Sequence, residues 1–174
     1  EFPDCLPDHV NGFEHLHQAY TASQGDYTGK VTVPTLWDKQ TSRVVNNESS
    51  EIIRMFNTSF DAFTNAAEDY YPADLRAEID AINDVIYPTI NNGVYRAGFA
   101  SSQEAYEEAV VAMFETLDDL EKRLGTQRYL VGDRLTEADW RLWVTLIRFD
   151  ACYVGAFKCN IRRIADYPNL TNYT

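Results

Sequence analysis

Cysteine is scarce in this chain, and what there is does not cluster. Cys5, Cys152 and Cys159 form no CxxC pair. The histidines do not join them: His9, His15 and His17 all fall in one early stretch, with His15 and His17 on different sides. A zinc site needs four such ligands at short spacings, so no metal is expected. An odd number of scattered thiols points to a reducing compartment, cytoplasmic or organellar. Positive charge is also short, with 15 Lys and Arg against 27 Asp and Glu and a net charge of −12. That balance argues against nucleic acid as a partner, because neutralising phosphates takes a cationic excess. It opposes anionic lipid for the same reason. No apolar run approaches the roughly 20 residues of a membrane span. The opening EFPD lacks the basic and apolar regions of a secretory leader. The sequons Asn47-Glu48-Ser49 and Asn57-Thr58-Ser59 are therefore read as chance matches.

What is present is enough for a packed core. Hydrophobic residues make up 45% and aromatics 13% of 174 residues, which suits one domain, or one and a part. The organising stretch is residues 31–51, VTVPTLWDKQTSRVVNNESSE. Pro34 sits between two strand-like arms, residues 31–33 and 35–38. Proline cannot donate to a central ladder, so it marks an edge or a bend. A cis Val33–Pro34 bond is one way to make the bend, and a trans proline at a strand start is the other. A bend there exposes the Val33 backbone to an extended ligand. Residues 39–43 read as a turn and 44–45 as a short strand. Ser49 or Ser50 then caps a helix carrying Ile52, Ile53 and Phe56, and free N–H groups at a helix start attract anions.

Elsewhere the periodicity is helical. Residues 9–20 are expected to form a short helix, with Phe13, Leu16 and Tyr20 on one side. Residues 58–72 read as a linker. Beyond it Leu75, Ile79, Ile82 and Ile86 recur at helical spacing, with Pro88 as a kink or break. Ser101 or Ser102 caps a long helix that Gly125 ends in the C′ role. Thr136 and Asp139 form a capping box, flanked by a Leu135–Trp140 staple. The helix behind it is apolar on most sides, with Arg141, Thr145 and Arg148 as a polar stripe, and is expected in the middle of a bundle. Residues 160–165 are expected to be helical, and Pro168 suits the first turn of a last helix.

The order strand, proline, strand, turn, strand, Glu-Ser, helix resembles the glutathione-binding half of a thioredoxin-like domain in the glutathione transferase superfamily. The motifs VTVPTLWDKQT, VNNESSEIIRMFN, NNGVYRAGFA, YLVGDRLTEADWRL, RFDACYVGAFKCN and RRIADYPNL narrow it. They cover almost the whole chain and are similar to the glutathionyl-hydroquinone reductases, the Xi-type, omega-like glutathione transferases. The resemblance implies an α/β fold: a partial thioredoxin-like domain over residues 1–57, a linker over 58–72 and an all-α C-terminal domain over 73–174. It implies glutathione at Val33, Pro34, Glu48 and Ser49. There the residue before the proline pairs with the cysteinyl backbone, and the Glu-Ser pair holds the γ-glutamyl end. It also places an aromatic hydroquinone against Tyr95, with Tyr153 and Phe157 as further candidates. Arg96 and Phe99 share the Tyr95 motif, and Lys39 and Arg54 are read either as aids to the glutathione carboxylates or as surface charge.

In that family a cysteine attacks the sulfur of a glutathionyl-hydroquinone, releasing the hydroquinone and leaving a mixed disulfide that a second glutathione resolves. The family's cysteine lies in a Cys-Pro loop after the first strand, and this chain contains no such motif; its segment beyond the PNL element is absent here too. Cys5 sits between Asp4 and Asp8, which raise a thiol pKa. Cys152 is expected in the core and Cys159 as a buried or loop thiol, so no catalytic residue is assigned. Two functions follow: glutathione-dependent reduction of glutathionyl-hydroquinones, or a non-catalytic relative serving as a binding or structural subunit. Partners are correspondingly glutathione and a hydroquinone, with a homodimer or a larger assembly as further possibilities.

Overall fold

The computed structural model describes residues 6–64 and 68–174. The chain divides after residue 67 into two compact units.

The first unit begins with side chains that compete for backbone N–H groups. The Asp8 carboxylate accepts from the N–H of Val10 (2.9 Å), Asn11 (3.2 Å) and Phe13 (3.3 Å). The Gln18 amide oxygen takes those of Glu14 and His15 at 2.9 and 2.8 Å. Bonds of this kind offer the backbone an alternative to the helix. The first helix, α1, therefore spans only His17–Ser23, and Phe13 lies ahead of it, not on its face. The residues expected as a first strand arm, 31–33, carry no strand pairing. The ladder is a hairpin of β1 (Leu36–Asp38) and β2 (Arg43–Asn46), antiparallel, with Trp37 opposite Val44. Asp38 closes its turn, accepting from the Gln40 N–H and the Thr41 hydroxyl, each at 2.8 Å. Ser23 at the end of α1 accepts the Val44 N–H at 2.6 Å and seats β2 on α1. Helix α2 (Ser49–Thr58) follows, and its cap is Glu48 instead of either serine: the carboxylate accepts from the Ser50 N–H. This is a partial thioredoxin-like arrangement.

The second unit is all helical. Helix α3 (Arg76–Ile86) buries Ile79, Ile82 and Ile86. At Pro88 the helix does not break but widens by one residue, over Tyr87–Asn91, and the Asn92 N–H bonds back five residues to the Tyr87 carbonyl at 2.8 Å. A wide turn absorbs the donor that proline lacks. Helix α4 (Gly93–Gly98) continues from it. Helix α5 (Gln103–Leu124) starts at Ser102, whose hydroxyl accepts the Ala105 N–H at 3.2 Å. It packs against α4 and the last helix and buries Val110, Met113, Phe114, Leu117 and Leu120. Gly125 does end α5, but at φ −72, a conformation open to any residue. Space favours glycine there: a Cβ would lie 3.0 Å from the Asn169 amide nitrogen, which itself binds the Glu121 carbonyl at the helix end.

Helix α6 (Glu137–Arg148) starts at Thr136 as expected. The carboxylate of Asp139 accepts the Thr136 N–H at 2.9 Å, the Leu130 N–H at 2.9 Å and the Tyr173 hydroxyl at 2.9 Å. It also takes the Thr136 hydroxyl at 3.0 Å, so that hydroxyl is a donor to Asp139. Helix α6 is not enclosed. Thr145, expected on a polar stripe, is buried with its hydroxyl bound to Asn91 at 2.7 Å, while Trp140, Val144 and Ile147 are exposed. A second wide turn (Phe149–Tyr153) leads to the short α7 (Val154–Ala156). A 3-10 turn at Ile164–Asp166 takes the place of the helix expected at 160–165, and α8 (Pro168–Tyr173) begins on its proline.

Candidate functional site

In the first unit the Val33–Pro34 peptide is cis. Val33 is 76% exposed. Among the described residues, neither its N–H nor its C=O has a hydrogen-bond partner. The Thr32 carbonyl and the side chains of Thr32 and Thr35, in contrast, are engaged. Tyr20, buried on α1, donates its hydroxyl to the Thr32 carbonyl at 2.7 Å and lies 3.2 Å from the Thr35 hydroxyl. Thr35 also donates to the Thr32 carbonyl, at 3.0 Å. The Thr32 hydroxyl accepts from the Asn47 side-chain amide at 3.0 Å, which brings the proline turn to the start of α2. There Glu48 and Ser49 are both exposed. The Glu48 carboxylate holds the Ser50 hydroxyl at 3.3 Å and the Ser50 N–H at 3.5 Å, long contacts that a stronger donor displaces at little cost. Lys39 is exposed in the hairpin turn, and Arg54 is half-buried on α2.

In the second unit four aromatic rings gather where α4 meets the turn after α6. Tyr95 lies 6.3 Å from Phe99, 6.0 Å from Tyr153 and 5.4 Å from Phe157, centroid to centroid. Phe157 closes the group against Phe99 at 5.3 Å and Tyr153 at 5.6 Å. The Tyr95 and Tyr153 hydroxyls face each other at 3.5 Å. Burial and the Tyr95 hydroxyl push the Tyr153 phenol up to about 12. Tyr153 is the inner wall, and Phe99, 75% exposed, is the outer one. The Phe157 ring lies directly on Gly98, where any Cβ would overlap it. Arg96 does not face this group: its guanidinium pairs with Glu108 on α5 at 2.8 Å.

The thiols are placed differently from expectation in one case. Cys152 is exposed, not in the core, because the wide turn after α6 rotates it outward. Cys159 is buried, its Sγ 3.8 Å from the Phe157 carbonyl oxygen, and burial pushes it up to about 11. A nucleophilic thiol needs the opposite shift. Cys5 lies outside the described residues. Among the described residues no group of three His, Cys, Asp or Glu is placed to hold a metal, and His15 and His17 stack on each other at 5.6 Å.

Sequence reasoning missed Tyr20, Asn47 and Gly98. Tyr20 was placed on an apolar face, but its partners lie 12 and 15 residues away. Gly98 is visible in the RAGFA motif, but the ring it admits comes from residue 157.

Residues 103–174 match the family described as Glutathione S-transferase, C-terminal domain. The chain is a close homologue of the glutathionyl-hydroquinone reductases, the Xi class of that superfamily. It is 61% identical over 168 residues to glutathionyl-hydroquinone reductase PcpF of Sphingobium chlorophenolicum, covering 97% of this chain and 54% of that protein. It is 56% identical over 172 residues to glutathionyl-hydroquinone reductase YqjG of Escherichia coli, covering 99% of this chain and 52% of that protein. The chain thus spans about half the length of the curated relatives it matches. The glutathione-bound structure of YqjG superposes with a TM-score of 0.95, over 99% of this chain and 56% of that one. Glutathione transferase Xi 1 from Trametes versicolor, 58% identical, also gives 0.95, over 99% and 60%.

Proposed function

We propose that this chain carries the glutathione-binding edge and the hydroquinone-binding aromatics of a glutathione-dependent reductase acting on glutathionyl-hydroquinones. Glutathione recognition belongs to residues 1–57, ring recognition to 73–174, and 58–72 joins them. The observation that carries this reading is the Val33 edge. Its backbone N–H and C=O have no partner among the described residues, and Asn47 ties it to the helix start that presents Glu48 and Ser49. The backbone of a peptide pairs with such an edge as an added strand. The γ-glutamyl end of glutathione brings an ammonium for Glu48 and a carboxylate for Ser49 and the N–H groups of α2. In the second unit, Tyr95 and Tyr153 supply a flat apolar wall and a hydroxyl pair that matches a phenolic oxygen.

The names of the relatives support this enzymatic reading over that of a non-catalytic module. No described thiol of this chain is assigned the nucleophile's part. The reaction draws on reduced glutathione, so it belongs in a reducing compartment. Calorimetric titration with glutathione tests the reading. The parent is expected to bind, and Glu48→Ala to bind about 10- to 100-fold more weakly, as for a lost charge-assisted hydrogen bond. No binding by the parent, or equal binding by both, would overturn it.

A further inference from the structure

We propose that the buried phenol of Tyr20 is a positioning residue for glutathione, because it clamps the turn that presents the Val33 backbone. The inference rests on the reading of the Val33 edge given above.

The geometry is specific. Tyr20 lies on α1, away from the exposed edge, with only 4% of its surface accessible. Its ring packs on Tyr27 at 5.0 Å, while its hydroxyl reaches under the turn. There it donates to the Thr32 carbonyl at 2.7 Å and stands 3.2 Å from the Thr35 hydroxyl on the other side of the Val33–Pro34 pair. The Thr35 hydroxyl spans the same pair, donating to the Thr32 carbonyl at 3.0 Å. The Thr32 carbonyl therefore takes two internal donors. Along this turn the backbone N–H and C=O of the exposed Val33 have no partner among the described residues. The clamp extends to the second part of the site. The amide of Asn47, one residue before Glu48, donates to the Thr32 hydroxyl at 3.0 Å. One network thus sets the spacing between the backbone edge and the Glu48–Ser49 helix start. Glutathione must touch both at once, and a ligand that spans two fixed points binds more tightly when the points are held in place.

A phenol that served only the core would contribute through its ring. The hydroxyl's role is separable, because Tyr20→Phe keeps the ring on Tyr27. Thr35→Val removes the second clamp hydroxyl at constant shape, and Thr35→Ser restores it. Calorimetric titration with glutathione, thermal unfolding, and the amide shift of Val33 in ¹H–¹⁵N spectra are the measurements. Tyr20→Phe and Thr35→Val are each expected to weaken glutathione binding about three- to tenfold, the range of a neutral hydrogen bond. Both are expected to shrink the glutathione-induced shift of the Val33 amide, while Thr35→Ser keeps the parental affinity. Parental affinity in both Tyr20→Phe and Thr35→Val would overturn the inference. So would weakening that is fully accounted for by a smaller folded fraction. If the parent itself bound no glutathione, the reading of the edge would fail, an outcome distinct from either.

Discussion

Asp139 and Cys159 show two opposite ways in which a single residue can be buried. Asp139 is paired four times over, by the backbone at 130 and 136 and the hydroxyls of Thr136 and Tyr173. Cys159 has one weak contact and keeps its proton instead. Burial raises the thiol from 9.0 to about 11, and raises Tyr153 from 10.0 to about 12. The folded state holds these protons longer than the unfolded chain does. Between pH 9 and 11 the unfolded chain has released its thiol proton and the folded one has not, so stability falls as pH rises. Tyr153 adds to the fall between pH 10 and 12, and Tyr167 and Tyr173, both raised by burial, extend it upward. In urea unfolding midpoints measured from pH 8 to 11, the parent is expected to decline from about pH 9. In Cys159→Ala the decline should begin near pH 10 instead, where the tyrosines take over. Residue pairings of this kind were half legible in the sequence. The Thr136–Asp139 box was, because both partners lie within one turn. Tyr173 was not, because it lies 34 residues from Asp139.

At the scale of the element, interior periodicity was easier to read than element ends. The apolar face of α3 is the one that the spacing of its isoleucines predicts, whereas on α5 Ala105 is exposed and Val110, Met113 and Phe114 share the buried face with Ala109, Leu117 and Leu120. The start of α1 was misplaced because Asp8 and Gln18 take backbone donors that a helix needs. On α6 the side chains alone could not say which of several apolar faces is buried. The choice is made by Asn91, whose amide satisfies Thr145 and so lets that face turn inward. Gly98 at the end of α4 gives the element-scale test. A methyl group there displaces the Phe157 ring from its seat, at a cost of about 1–3 kcal/mol. Gly98→Ala is expected to weaken binding of a glutathionyl-hydroquinone and leave the affinity for glutathione alone unchanged, both by titration. An equal loss for both ligands would remove Phe157 from the ring-binding role.

For the whole molecule, composition and motif order conveyed more than periodicity did. A net charge of −12 bears on partners and not on fold. At physiological salt the protein is expected to pass unretained over immobilised heparin and to show no sedimentation with anionic vesicles. Retention on either would contradict the exclusion of polyanionic partners. Among the described residues no helix is long and apolar enough to cross a membrane. The α/β order with a helical second unit was legible because the proline turn, the Glu-Ser helix start and the capping box each have a local signature. The three aromatic partners of Tyr95 were less so, since two of them come from a segment about 60 residues downstream and no local pattern links them.

The fourfold pairing of Asp139 also bears on how the polypeptide is made. Its carboxylate would be a buried charge short of a donor in any nascent chain that has not yet emerged as far as Tyr173. On the ribosome, the set of bonds that ties the loop at Leu130 to the start of α6 through Asp139 is therefore complete only once Tyr173 has left the exit tunnel.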